Sequence, residues 1–252
     1  MTSLLTVRST LAVALLFSCP AFAAPTIKSP IVTKGEYEIE ISADGTSDAD
    51  STKDGAHGLT LEFGYGVTNH WFTEFETEWS NGSGERFRHE AVAWENTFQI
   101  LPQGEYLIDL GFFAEYEFGT RPHSADEIKF GPIFQSTIGN FRVTTNPFMS
   151  VEVGAHSEAA PEFSYGVRAE YLWKQAFNPG VEFYGKMGEI ADGPRLSEQN
   201  HSLGPVATGS VSLHRLGLPG KLGYEAGVLF GVTDAAPART FKGKLEYEFT
   251  FN

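Results

Sequence analysis

The chain has 252 residues, a formal net charge of −14, one cysteine, 27 glycines and 13% aromatic residues. The acidic balance argues against nucleic acid as a partner, because phosphate binding needs clustered Lys and Arg; the lone Cys19 excludes a disulfide framework. The length suits one β domain without a linker. A mean hydropathy of −0.18 says nothing about membranes if the crossing elements are strands, since polar and apolar positions then cancel.

Residues 1–24 contain one basic residue (Arg8), an apolar run over 11–17 and the small-x-small triplet Ala21-Phe22-Ala23. That order predicts a secretory signal peptide over 1–23, leaving a domain of residues 24–252 that lacks Cys19. A lipoprotein signal around Leu16-Phe17-Ser18-Cys19 is disfavoured by bulky Phe17 and by Pro20. No later segment approaches the ~20 apolar residues of a membrane helix.

Beyond the leader the chain alternates. Side chains in a strand point to opposite faces with period two, and twelve segments obey that period. The first, near 35–42, sets Tyr37, Ile39 and Ile41 against Glu36, Glu38 and Glu40. The second covers 58–66. The third, 71–80, sets Trp71, Phe75 and Trp79 against Glu74, Glu76 and Glu78. Further segments occupy 87–101, 106–118, 127–139, 141–154, 162–174, 180–188, 203–216, 220–233 and 238–251. In the last, Phe241, Leu245, Tyr247, Phe249 and Phe251 alternate with Lys242, Lys244, Glu246, Glu248 and Thr250. Behind a secretory leader, this repetition predicts an all-β fold: a transmembrane antiparallel up-and-down β-barrel with its oily face in lipid and its ionic face around a lumen.

The connections support the same architecture. Even-numbered links (66–70, 101–105, 139–140, 175–179, 215–219) are short, whereas most odd-numbered ones are longer or more polar, as periplasmic turns and external loops require. Pro132, Pro147 and Pro205 fall inside predicted strands, where each removes a ladder donor. Bulges or shifted strand ends would absorb them, and ten or fourteen strands remain alternatives to twelve.

The phrase Leu61-Glu-Phe-Gly-Tyr-Gly-Val-Thr-Asn-His-Trp-Phe-Thr-Glu-Phe-Glu resembles a recurring strand–turn–strand phrase of bacterial outer-membrane barrels. Glu127-Ile-Lys-Phe-Gly-Pro-Ile-Phe and His201-Ser-Leu-Gly-Pro-Val are similar to a loosely defined group of outer-membrane transporters that includes MetA-pathway phenol-degradation proteins. The resemblance implies an outer-membrane location. It also implies recognition of the C-terminal strand by the barrel-assembly machinery through a terminal aromatic, here Phe251 followed by Asn252.

Parity assigns Glu36, Glu38, Glu40, Glu62, Glu74, Glu76, Glu78, Glu95, Asp109, Glu115 and Glu117 to the lumen side of the first five strands. Lys129, Arg142, Arg168, Lys186, Lys242 and Lys244 take lumen positions on later ones. Closure would set the last strand beside the first, where Lys242 and Lys244 could meet Glu36, Glu38 and Glu40, and opposed walls of unlike charge would orient a dipolar solute. The competing expectation is a narrow barrel filled by its own ion pairs. Tyr65, Trp71, Tyr106, Phe141, Trp173 and Phe251 are placed on the inner membrane rim, and Trp79, Phe118 and Phe163 on the outer, where amphipathic rings prefer to sit. The carboxylate-rich stretch 44–54 lacks the order of a calcium loop and is expected to be a solvated external loop.

No His-x-Ser pair on one strand face, HExxH or CxxC occurs, so no catalytic residue, metal or cofactor is assigned. The expected role is passive passage or capture of a small solute through a charged lumen. An occluded structural or surface-interaction barrel is the alternative, and a lipid-modifying enzyme a more distant one. Expected partners are outer-membrane lipid and lipopolysaccharide, the assembly machinery, and a solute that the sequence does not name.

Overall fold

The computed structural model describes residues 26–155, 157, 160–190 and 193–251; the signal peptide expected over 1–23 lies outside them. Among the described residues the strands are β1 (Glu36–Ser47), β2 (His57–Gly66), β3 (Trp71–Asn81), β4 (Arg88–Gln99), β5 (Asp109–Gly119) and β6 (Asp126–Ile138), followed by β7 (Phe141–Val153), β8 (Glu162–Tyr171), β9 (Asn178–Glu189), β10 (Asn200–Ser212), β11 (Lys221–Gly231) and β12 (Arg239–Thr250). Each pairs antiparallel with its neighbours in sequence, and β12 pairs with β1, from Glu36↔Thr250 to Ser47↔Arg239. The sheet is a closed barrel of twelve strands. The ten- and fourteen-strand alternatives fall away.

The period of two sorts side chains as predicted for a barrel in lipid. Phe75 is 59% exposed while its chain neighbours Glu74 and Glu76 are 5% and 8% exposed. Phe63, Trp94 and Phe112 face outward from their strands, and Glu62, Glu95 and Glu115 are buried within. Water would not support that inversion, because a buried carboxylate and an exposed aromatic both cost free energy in a soluble protein. Hydrocarbon around the outside and ions within make both favourable. No helix among the described residues is long and apolar enough to cross a membrane; the outward apolar band is carried by the strands.

Several boundaries differ from those read in sequence. β1 runs five residues past the predicted end at Ser42, because Ala43–Ser47 continue the pairing with Gly243–Arg239. This brings Asp44 and Thr46 into the wall as buried, inward positions and leaves only 48–56 as the first external loop. β5 begins at Asp109 instead of residue 106, so the link 100–108 is as long as an external loop. The contrast between short and long links is therefore weaker than the sequence suggested. β8 ends at Tyr171, which leaves Trp173 in the following turn.

The three strand prolines are absorbed by neither bulges nor shifted ends. Pairing stops after Phe130↔Met149 and resumes at Phe134↔Thr145 in unchanged register, which sets Pro132 opposite Pro147 across the gap. Pro205 lies in a similar gap between Leu203↔Phe230 and Val206↔Gly227. Each proline keeps its place in the alternation and stays paired on its other side, with Phe112, Tyr165 and Val181 respectively. Setting two prolines face to face confines both missing donors to one gap. The register shifts occur elsewhere, at Glu78/Trp79 and Glu162/Ser164.

Placing a cation in the outer band tests the orientation of the wall. Phe75→Arg, near the middle of β3, is expected to cost about 2–4 kcal/mol of folding free energy in lipid vesicles. Guanidinium unfolding followed by tryptophan emission measures this; no change would place Phe75 outside the hydrocarbon.

Candidate functional site: a charged lumen around the N-terminal segment

Residues 26–33, which precede β1, lie inside the barrel and lead out to the end where β1 starts and β12 finishes. At the mouth, Gly35 donates its N–H to the Gly66 carbonyl at 2.7 Å. Further in, the Val32 N–H is accepted by Gln99 Oε1 at 2.9 Å. Asn146 then reads the Lys28 backbone from both sides: its Oδ1 accepts the Lys28 N–H at 2.8 Å, and its Nδ2 donates to the Lys28 carbonyl at 3.0 Å. Two inward glycines make room. A Cβ at Gly111 would lie 2.9 Å from Pro30 Cβ, and one at Gly166 would lie 2.6 Å from Ile27 Cδ1. Ile27 packs with Tyr184 and Leu229 on the far wall.

The segment delivers an ammonium to the acidic wall. Lys28 Nζ lies 3.1 Å from Glu62 Oε2 and 3.8 Å from Glu74 Oε2, and it donates a short hydrogen bond to Glu95 Oε2. Beneath it is the ring of Phe113, 5.7 Å from Nζ to centroid, within the range of a cation–π contact. Phe113 stacks on Phe148 and packs with Ile133, an apolar cluster inside an otherwise polar lumen.

On the opposite wall charges pair among themselves. Glu182, fully buried, accepts from Arg168 Nε at 2.6 Å and from Lys242 Nζ at 3.0 Å. Lys242 also lies 2.7 Å from Glu225 and donates to the Tyr184 hydroxyl at 2.9 Å, and Arg168 bonds Glu225 as well. Lys129 reaches both oxygens of Glu115 at 2.8 and 2.9 Å. Lys244 bridges Glu40 and Glu246 at 2.6 and 2.7 Å, Arg142 pairs with Glu170, and Lys186 lies 2.8 Å from Glu162.

The sequence-derived lumen set separates accordingly. Glu36, Glu38, Glu40, Glu74, Arg142, Arg168 and Lys244 border a cavity of about 610 Å³ on the terminus side of the segment. Glu62, Glu76, Glu78, Glu95, Glu115, Lys129 and Lys186 border a second cavity of about 700 Å³ on the loop side. Asp109 ties a turn instead, accepting the Gly104 N–H at 2.7 Å. Closure sets Lys242 opposite Asp44 and away from the β1 glutamates: its ammonium reaches Glu182 on β9 and Glu225 on β11, and Lys244 contacts Glu40.

Three carboxylate groups come close enough to share a cation: Glu38/Glu40/Glu246, Glu62/Glu76/Glu95 and Glu115/Glu117/Glu127. Each already holds an ammonium, from Lys244, Lys28 and Lys129 respectively. Parity alone would have pointed to Asn146, Phe113, Glu182 and Glu225 as inward residues. Lys28 carries no periodic signal.

Most of the aromatic rim sits at strand ends. Trp71 donates to Asn96 Oδ1 at 2.9 Å and stacks on Phe98. Trp79 lies against His89, and Tyr65 against Tyr37. Phe251 packs edge-on against Tyr37 across the β1–β12 seam. Trp173 and Tyr106 lie in turns, 58% and 60% exposed. At the other end, Asp48 ties the loop 48–56 to the link before β12: its carboxylate accepts the Asp50 N–H at 2.8 Å and the Ala238 N–H at 2.7 Å. These two bonds hold the Asp48 carboxyl below its ordinary pKa. Lys53 bonds the Asp234 carbonyl alongside.

No protein-family model matches the sequence, and no characterised protein is significantly similar to it by sequence. Solved structures share the fold. The KdgM porin in complex with disordered oligogalacturonate superposes with a TM-score of 0.53 at 10% identity, over 85% of this chain and 99% of that one. The NanC porin gives 0.54 at 10% identity over 84% and 100%. An outer-membrane channel of Pseudomonas putida F1 gives 0.57 at 13% identity over 87% and 97%. The likeness lies in the barrel.

Lys242→Met leaves Glu182 and Glu225 short of a counter-charge and is expected to destabilise the barrel by about 3 kcal/mol; an unchanged unfolding midpoint in vesicles would mean that water already screens the cluster. Asp48→Ala is expected to speed tryptic cleavage after Lys53 severalfold. In the native protein the tether, whose carboxyl pKa is lowered by folding, contributes above the ordinary value of ~3.9 and fades as pH falls below it. Equal cleavage rates in mutant and native protein at neutral pH would show that the tether does not hold the loop.

Proposed function

We propose that the protein is a passive outer-membrane channel for small cationic solutes, narrowed at mid-lumen by its own N-terminal segment. The observation that carries this reading is that the wall is complete without the segment. β1 to β12 close on themselves, whereas residues 26–33 are held inside by side chains and add no strand to the sheet. Cavities of about 610 and 700 Å³ meet them from either end. Removing or shifting the segment would join the two.

Charge sets the preference. Glu38 in one cavity and Glu76, Glu78 and Glu127 in the other make no ion pair within 4 Å among the described residues, while the lumen's basic side chains are committed to carboxylates. A pore with an excess of fixed carboxylates concentrates cations. A polyanion such as the oligogalacturonate bound by the KdgM porin would meet repulsion here. Lipid and lipopolysaccharide around the aromatic rim, and the assembly machinery at the β12 end, complete the proposed set of partners. Kinship with the transporter group that includes MetA-pathway proteins is part of the same proposal, on the phrases beginning at Leu61 and Glu127. A barrel kept shut permanently by its segment is the second reading, favoured by the contacts of Asn146 and Lys28.

Planar-bilayer recording separates the two. The native protein is expected to show small unitary currents, and a variant lacking residues 26–33 currents severalfold larger. Silence from both would establish the structural reading. Neutralising Glu74, Glu76 and Glu78 to Gln is expected to reduce cation preference in reversal-potential measurements; unchanged selectivity would take these residues out of the pathway.

A further inference from the structure

The seat of Lys28 has the chemistry of a binding site whose ligand is supplied by the chain itself. An ammonium offers three N–H donors, and three carboxylates, Glu62, Glu74 and Glu95, surround this one. All three are at least nine-tenths buried. Among the described residues, Lys28 is the only cation within 4 Å of any of them. Were it to leave, three carboxylates with Glu76 alongside would be stranded together, and breaking a buried charge arrangement from one side is strongly unfavourable. The cage therefore takes up a cation or protons whenever the segment is out of the lumen.

Its shape specifies which kind. Glu62 and Glu95 each present one oxygen to a single point donor, unlike the parallel two-oxygen face that a guanidinium fork prefers. The Phe113 ring lies under the charge and, with Phe148, supplies an apolar wall for a hydrocarbon stem, which a hydrated metal ion would not use. Lys28 borders both cavities, so a solute from either side reaches the cage.

We propose that the Glu62–Glu74–Glu95 cage is the recognition site for a primary alkylammonium group on the transported solute, and that Lys28 occupies it between passages. The proposal rests on the channel reading and names the solute class. A solute ammonium takes the place of the Lys28 ammonium, charge for charge, and the segment is released as it binds.

The test uses n-butylammonium, which is the lysine side chain without its backbone, titrated calorimetrically into the folded, detergent-solubilised protein. Lys28→Gly is expected to bind it about tenfold or more tightly than the native chain, and adding Glu95→Gln to reverse that gain, as loss of one charge-assisted hydrogen bond implies. Tetramethylammonium, which has no N–H, is expected to bind weakly to both. Equal affinity of native and Lys28→Gly protein, indifference to Glu95→Gln, or equal binding of tetramethylammonium would each overturn the site. If Lys28→Gly fails to fold, an Ile27→Cys variant with Cys19 replaced by Ser serves instead. Ile27 is buried against Tyr184 and Leu229, so n-butylammonium should accelerate thiol labelling there, and an unchanged rate would overturn the proposal. Bilayer currents on the same preparations keep the two ideas apart: current without ammonium binding removes the cage alone, and binding without current removes the channel alone.

Discussion

In hydrocarbon no water is present to satisfy a backbone N–H or C=O, so a sheet that crosses it has to close. The pairing of β12 with β1 meets that requirement, and much of the remaining structure depends on it. Closure fixes which side chains face lipid and which face the lumen, because each strand alternates strictly and neighbours are in register. It gathers carboxylates from β1 to β6 onto one stretch of inner wall. It also brings the start of β1 and the end of β12 to one mouth, from which residues 26–33 lie back inside the lumen.

Gathering like charges inside a narrow wall creates the second constraint. Carboxylates that are removed from bulk water and close together need counter-ions. The structure supplies them in two ways. On β8 to β12 the basic residues stand on the strands themselves, and the Arg168–Glu182–Lys242–Glu225 cluster is neutralised within the wall. On β2 to β4 no inward strand position carries a base near Glu62, Glu74 and Glu95, and the cation comes from Lys28 outside the sheet. That difference makes one wall neutral by itself and the other dependent on a group outside the sheet.

The outer wall was legible in the sequence because lipid imposes a repetitive demand. Phe63, Phe75, Trp94 and Phe112 all satisfy the same period, so twelve local patterns reinforced one conclusion. The same parity placed Glu62, Glu74 and Glu95 inside. It failed where two demands met: the polar positions Asp44 and Thr46 read as loop though they belong to β1, and residues 106–108 read as strand though they precede β5. The prolines misled for a related reason. A missing N–H is a local defect, and the strand order seen in sequence does not reveal that Pro132 and Pro147 share one gap.

By itself, then, the sequence determined the class of barrel and the face of each strand residue, since both follow from a period of two within contiguous segments. Which cation meets which carboxylate was decided only by the tertiary structure. Lys242 crosses to Glu182 instead of joining Glu40, and Lys28 sits in the acidic cage, because those distances depend on the curvature of the closed wall and on an aperiodic segment inside it. Periodicity describes a surface; what fills the space that the surface encloses is set by packing between residues far apart in the chain.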